Sequence, residues 1–254
     1  MASVNESLEV VYILWLRQLK RYFRSRSRLI GSIGQPLLFL VALGFGLGPV
    51  FAAAGQGDYM QFLAPGVIAM GILFTAVFTG IEVIWDKQFG FLKETLVAPV
   101  SRLEIMLGRT AGGATIALMQ GIIVFFLAVI IGYRPELAGI PMALVFAALI
   151  ALFFTALGTA IASLLDDMQG FQLIMNFLVM PTFFLSGSLF PLAGLPGFIS
   201  AITAIDPLTY GVDGLRGALS GTFAFSMTLD LAVLGILTAI TLAVGSYLFS
   251  KIQA

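Results

Sequence analysis

The sequence predicts an all-α integral membrane protein with six transmembrane helices, and three observations carry that prediction. Hydrophobic residues fill 59% of the 254 positions and charged residues only 10%, which leaves too little polar surface for a soluble globule. Six apolar runs each approach or exceed the roughly 20 residues that a helix needs to cross a bilayer. The charged residues cluster between those runs. One helical bundle accommodates a chain of this length, so residues 1–254 are read as a single transmembrane domain.

Before the first span, Leu8, Val11, Tyr12, Trp15, Leu19, Tyr22 and Phe23 recur at helical spacing, while Arg17, Lys20, Arg21 and Arg24 fall on the other side. This predicts an interfacial amphipathic helix over residues 5–28, with a basic face suited to anionic headgroups of the membrane. Its charges follow its apolar positions, which argues against a cleavable signal peptide. The first span covers residues 29–51, with Pro36 kinking it or opening its first turns and Gly44, Gly46 and Gly48 allowing close contact or local unwinding. The second covers residues 59–84. The third covers residues 105–131 and carries Gly108 and Gly112, a small-xxx-small pair expected to pack within the subunit. The fourth and fifth cover residues 141–164 and 171–190, joined by a turn at Asp166 and Asp167. Residues 191–221 hold three prolines and apolar pieces too short to cross, so they are expected to form short re-entrant helices capped by Asp206 and Asp213. Arg216, three residues after Asp213, is expected to pair with it. The sixth span covers residues 229–249.

Between the second and third spans lies a charged island, residues 85–109. Phe89, Leu92 and Leu96 share one helical face, Pro99 ends that helix, and Ser101 with Glu104 reads as a capping box that starts the next. An amphipathic helix across the mouth of a bundle is a surface for a partner.

Charge sets the expected orientation. Six of the 13 Lys and Arg precede the first span, four lie in the central island and Lys251 follows the last span, leaving only Arg134 and Arg216 on the opposite side. By the positive-inside rule both termini and the central island are cytoplasmic, in a multi-pass protein of the cell (plasma or inner) membrane. The chain has no cysteine, so single cysteines report cleanly. A cysteine at Ser101 is expected to react with impermeant maleimide only after permeabilisation, and one at Gln56 in intact cells. Labelling at position 101 from outside would reverse the orientation.

With no Cys and no His, the chain excludes disulfide frameworks, Cys/His zinc sites, haem held through either residue, and Ser-His or Cys-His catalysis. No G-x-x-x-x-G-K-[ST] occurs, so no P-loop cradles a nucleotide. Asp166 and Asp167 form one acidic pair without a second motif, and a solvated turn is expected there in preference to a metal-diphosphate site. Glu82 is expected to reach the headgroups, and Gln120 and Asn176 to make interhelical hydrogen bonds. The basic cluster abuts a span, which argues against nucleic acid. Neither a buried charged pair nor an inverted repeat marks an ion-coupled carrier.

Phe91 to Ser101 (FLKETLVAPVS), Phe183 to Leu192 (FFLSGSLFPL) and the DPLTY and LRG of Asp206 to Gly217 carry a resemblance that spans nearly the whole chain. It resembles the type 2 family of ABC exporter permeases, the group with drug-resistance, lipo-oligosaccharide and polysaccharide export subunits. The resemblance implies that residues 87–98 hold a coupling helix seated on a separate ATPase subunit, with Phe91, Leu92, Lys93, Glu94, Leu96 and Arg102 in contact. It implies two ATPase subunits carrying ATP and Mg, no cofactor or catalytic residue on this chain, and a second permease subunit forming a homodimer within membrane lipid. It also implies a path lined by the second and fifth spans, for which Met70, Phe74, Phe78, Asn176, Phe177 and Phe184 are candidates. An outer gate would lie in residues 191–221, with Asp206, Pro207, Tyr210, Asp213 and Arg216. Asp86, Lys87 and Gln88 depart from the charged run common in relatives, so pairing with an ATPase would rest on other charges. The rival readings are a lipid-processing membrane enzyme and an ion-coupled transporter. A P-loop ATPase encoded beside this chain would favour the exporter.

Overall fold

A computed structural model describes residues 4–55, 57–91 and 100–251, and among these the regular structure is entirely helical. Helix α1 is Val4–Arg24 and α2 is Arg26–Ala53. Helix α3 (Tyr59–Phe78) bends at Thr79 and Gly80 into α4 (Ile81–Gln88). Helix α5 is Arg102–Ile131, and a 3-10 turn at Leu137–Gly139 leads into α6, Ile140–Leu164. Helix α7 is Met168–Leu185, followed by the short α8 (Gly197–Ile205) and α9 (Pro207–Ser220), and by α10, Met227–Ser250.

Six of these are long and apolar enough to cross a membrane: Gly31–Ala53, Tyr59–Gln88, Arg102–Ile131, Leu137–Leu164, Met168–Leu185 and Met227–Ser250. The expected number of spans holds. The fifth is shorter than expected, because Gly187 adopts φ +74° and turns the chain before Phe190. Within α7 a π turn spans Met175–Val179, directly before Pro181. Proline lacks the N–H that an α-helical bond to Phe177 needs, and the wider turn relieves its ring of that carbonyl.

Helix α3 is the axis of the bundle. It is 78% buried along its most apolar window, whereas α2 and α10 are only 17% buried. Leu63, Val67, Met70 and Leu73 of α3 meet Val124 of α5, Phe146, Ile150 and Phe154 of α6, and Leu208 and Val212 of α9 in one continuous core. Lipid tails are as apolar as these side chains, so dispersion and close fit hold the core rather than escape from water.

Close fit is clearest between α1 and α5. A β-carbon added to Gly108 would lie 2.7 Å from Leu14 Cβ, and one on Gly112 2.7 Å from Gln18 Cβ. Only glycine admits α1 at this distance, so the Gly108/Gly112 pair packs within the subunit as expected, with α1 as its partner. The Trp15 indole N–H donates to Thr115 Oγ1 at 3.0 Å, and Leu19 and Tyr22 bury against Ile116. Leu8, Tyr12 and Phe23 of the same expected apolar face remain exposed.

Helix α5 opens on the expected capping box: the Glu104 N–H donates to Ser101 Oγ at 3.2 Å, and the Ser101 N–H to Glu104 Oε2 at 2.9 Å. Gln120 bonds to α2 as expected, accepting from Ser32 Oγ at 2.9 Å and donating to the Ser32 carbonyl at 2.8 Å. Asn176 corrects its expectation. It lies exposed on the π turn, where the wider spiral turns it outward from the bundle.

Candidate functional site

At the end of the bundle where α5 begins, three helices meet through charge. Glu82 and Asp86 sit one turn apart on α4 and are buried, with 1% and 2% of their surface exposed. Arg17 and Arg21, also one turn apart on α1, reach Asp86 Oδ1 at 3.6 and 3.4 Å, and Arg21 reaches Glu82 Oε2 at 3.8 Å. From α5, the buried Arg109 donates its Nη2 to Asp86 Oδ2. The Arg21 guanidinium also lies 5.6 Å from the centre of the Trp85 ring. Two carboxylates withdrawn from water are tolerated because three guanidinium groups surround them.

This cluster overturns two expectations, the first being that no charged pair is buried: Arg109 and Asp86 form one. Glu82 does not reach for headgroups, because α1 covers it. Of the expected basic face, Arg17 and Arg21 turn toward α4, because α5 holds α1 there, while Lys20 and Arg24 stay exposed. The signal was present in the sequence as two i,i+4 pairs, one basic (Arg17, Arg21) and one acidic (Glu82, Asp86), but nothing local says that they meet.

Lys87 corrects a third expectation. Its ammonium donates to the carbonyls of Ser163 at 2.7 Å and Leu165 at 2.9 Å, and to Asp166 Oδ1 at 3.2 Å, so it closes the C-terminal end of α6. Gln88 Nε2 donates to the Asp166 carbonyl at 3.1 Å. Lys87 and Gln88 therefore complete α4 instead of opening a coupling helix, and Gly90, at φ +78°, ends it. Leu92, Lys93, Glu94 and Leu96 lie outside the described residues. Phe91 is exposed beside them, and Arg102 is half-buried at the first position of α5. Asp167 caps α7 by accepting the Gly170 N–H at 2.6 Å, so the acidic pair serves a turn and a cap. Among the described residues no cluster of three metal-ligating side chains occurs.

The six expected path residues do not converge within one subunit. Met70, Phe74 and Phe78 line a recess of about 410 Å³ with Ser32, Gln35 and Trp85. Phe177 and Phe184 face outward from α7 with Asn176, and Phe183, which the sequence reading passed over, is the ring of α7 that meets Phe74, at 6.2 Å. The preceding proline and π turn rotate this register, which simple helical spacing does not anticipate.

At the opposite end, α8 and α9 form a corner. Asp206 caps α9 by accepting the Leu208 N–H at 2.9 Å, and Pro207 occupies the first helical position. Burial pushes the Asp206 carboxyl up to about 7, against the opposing effect of that Leu208 hydrogen bond. The Tyr210 hydroxyl donates back to the Ala204 carbonyl at 2.7 Å. Asp213 does not cap a helix start. It lies within α9 and accepts the N–H groups of Ala224 and Phe225, both at 2.8 Å, so it fixes the loop into α10. Nor does Arg216 form the expected ion pair with Asp213 at contact distance. Its Nε and Nη2 donate to the Phe62 carbonyl at 3.3 Å, its Nη2 also to the Gly187 carbonyl at 2.9 Å, and it stacks 3.9 Å over the Phe62 ring. Residues 186–188 close against α3, so Gly187 and Phe62 of α3 offer those carbonyls together, while Asp213 is already taken by backbone N–H groups.

Six spanning helices around a central α3, with an ion-linked helix pair leading into a charged connection, define a multi-pass permease. The chain belongs to the ABC-2 type transporter family, whose profile matches residues 9–220. It is 28% identical to nodulation protein J of Rhizobium leguminosarum bv. viciae over 89% of this chain and 87% of that protein. The same-named protein of R. leguminosarum bv. trifolii is 30% identical, over 83% of this chain and 78% of its own. The putative transport permease ycf38 of Cyanophora paradoxa is 27% identical over 87% and 78%.

Proposed function

We propose that this chain is the membrane subunit of an ATP-driven exporter that moves an amphipathic or lipid-like substrate, such as a drug, lipid or glycoconjugate, out of the cytoplasm by alternating access. Separate P-loop ATPase subunits, two per complex, bind ATP and Mg and supply the energy. The chain acts as a homodimer in the cell membrane, with both termini and the 91–101 connection in the cytoplasm. A second copy brings the outward-facing Phe177 and Phe184 to the path begun by Phe74 and Phe78. The α8–α9 corner closes the outer end.

The observation that carries this reading is the Asp86 cluster. It joins α1, α4 and α5 immediately before the connection, so a displacement imposed there is delivered to three helices at once and through α5 to the core. Leu92→Asp and Leu96→Asp are expected to release the ATPase subunit while the permease stays in the membrane, because an unpaired charge in a buried contact is costly. Co-purification of both variants at full stoichiometry would sink the reading.

A further inference from the structure

Two cations of α1 are left over by the Asp86 cluster. Arg17 and Arg21 turn to α4, but Lys20 and Arg24, one turn apart and exposed, have no carboxylate at ion-pair distance among the described residues. With Arg17 and Arg21 they line a recess of about 510 Å³ whose remaining lining is Ile13, Leu16, Asp86 and Phe91. Among the described residues four cations therefore line the recess with one carboxylate, Asp86, which is already committed to Arg109, while Arg21 also faces Glu82 behind it. The charge of this lining, among the described residues, is unbalanced, and the rest of the wall is apolar.

The same helix leaves Leu8, Tyr12 and Ile13 exposed, at 63%, 56% and 55%. A row of bare apolar side chains beside cations that no described carboxylate pairs suits a molecule that is anionic at one end and aliphatic at the other. An acidic protein surface would satisfy the cations but leave the aliphatic row wet. We propose that this recess binds an anionic phospholipid, its phosphate on Lys20 and Arg24 and its acyl chains along Ile13 and Leu16. Arg17 is the third ligand. It is the loosest member of the Asp86 cluster, at 3.6 Å with 43% of its side chain exposed, so it can turn to a phosphate while Arg21 and Arg109 keep Asp86 paired. The site does not depend on the exporter reading. It requires only that α1 lies against a leaflet containing such lipids.

The test uses the full-length protein in nanodiscs of phosphatidylcholine, with and without phosphatidylglycerol, and counts retained lipids by native mass spectrometry. Wild type is expected to retain phosphatidylglycerol selectively. Lys20→Gln/Arg24→Gln is expected to weaken that retention about 30-fold, at about five-fold per charge near a membrane surface. Arg134→Gln, an exposed charge at the opposite end, serves as the control and is expected to change nothing. Equal retention by the double variant overturns the proposal. So does displacement of phosphatidylglycerol by inorganic phosphate at the same concentration, which would make the recess a simple anion site. Loss of a co-purifying acidic protein from the double variant, with phosphatidylglycerol retention unchanged, overturns it in favour of a protein contact.

Discussion

Asp86→Ala is expected to remove about 3–5 kcal/mol of stability, the usual cost of breaking a buried ion pair from one side. The loss is that of Arg109, which is 4% exposed and donates to Asp86 from inside the bundle. Without the carboxylate its guanidinium stays buried and unpaired, whereas Arg17 and Arg21 are partly exposed and recover water. Arg109→Ala in the same chain is therefore expected to restore part of the loss, so the double variant melts above the sum of the two single effects. A melting temperature unchanged in Asp86→Ala would remove the cluster from any structural role. A function readout separates coupling from folding: Asp86→Asn keeps the shape and one acceptor, and is expected to leave ATPase binding intact while lowering transport per folded molecule.

Asp213→Ala comes next in size. Both carboxylate oxygens accept backbone N–H groups, from Ala224 and Phe225, at the end of the bundle opposite the Asp86 cluster. Hydrogen bonds to a charged acceptor are worth about 1.5–3 kcal/mol each, so losing both is expected to cost about 3 kcal/mol or more and to free the loop between α9 and α10. Asp213→Asn is expected to recover less than half, because its amide nitrogen meets an N–H where an acceptor is needed. Hydrogen exchange at Ala224 and Phe225 checks the mechanism, with protection lost in both variants. Transport decides the gate. A leak or a fall in transport per folded molecule supports closure by this segment, and unchanged transport at a lower melting temperature makes it a plug.

The legible parts of this fold were the local ones. The Ser101/Glu104 box, the Asp206–Pro207 corner and the Asp167 turn each need only neighbours within a few residues, and each formed where the sequence put it. Six spans followed from length and apolarity. Residues 92–99, which hold most of the expected partner contacts, lie outside the described residues.

The sequence by itself determined that this chain is a helical membrane protein with six spans, where α5 and α9 are capped, and that Gly108 and Gly112 admit a neighbouring helix, whereas Gly46 and Gly48, expected to allow the same, face open space. Only the tertiary structure decided which charges are buried and with whom. Arg21 meets Asp86 across 65 residues of chain, and Lys87 meets Ser163 across 76. It also decided which apolar residues face the core, such as Phe183 rather than Phe184. The physical reason is the solvent. In water, apolar periodicity marks the buried face, but lipid and protein interior are equally apolar, so a spanning helix carries no such stripe, and its inner face is set by fit and by distant polar partners.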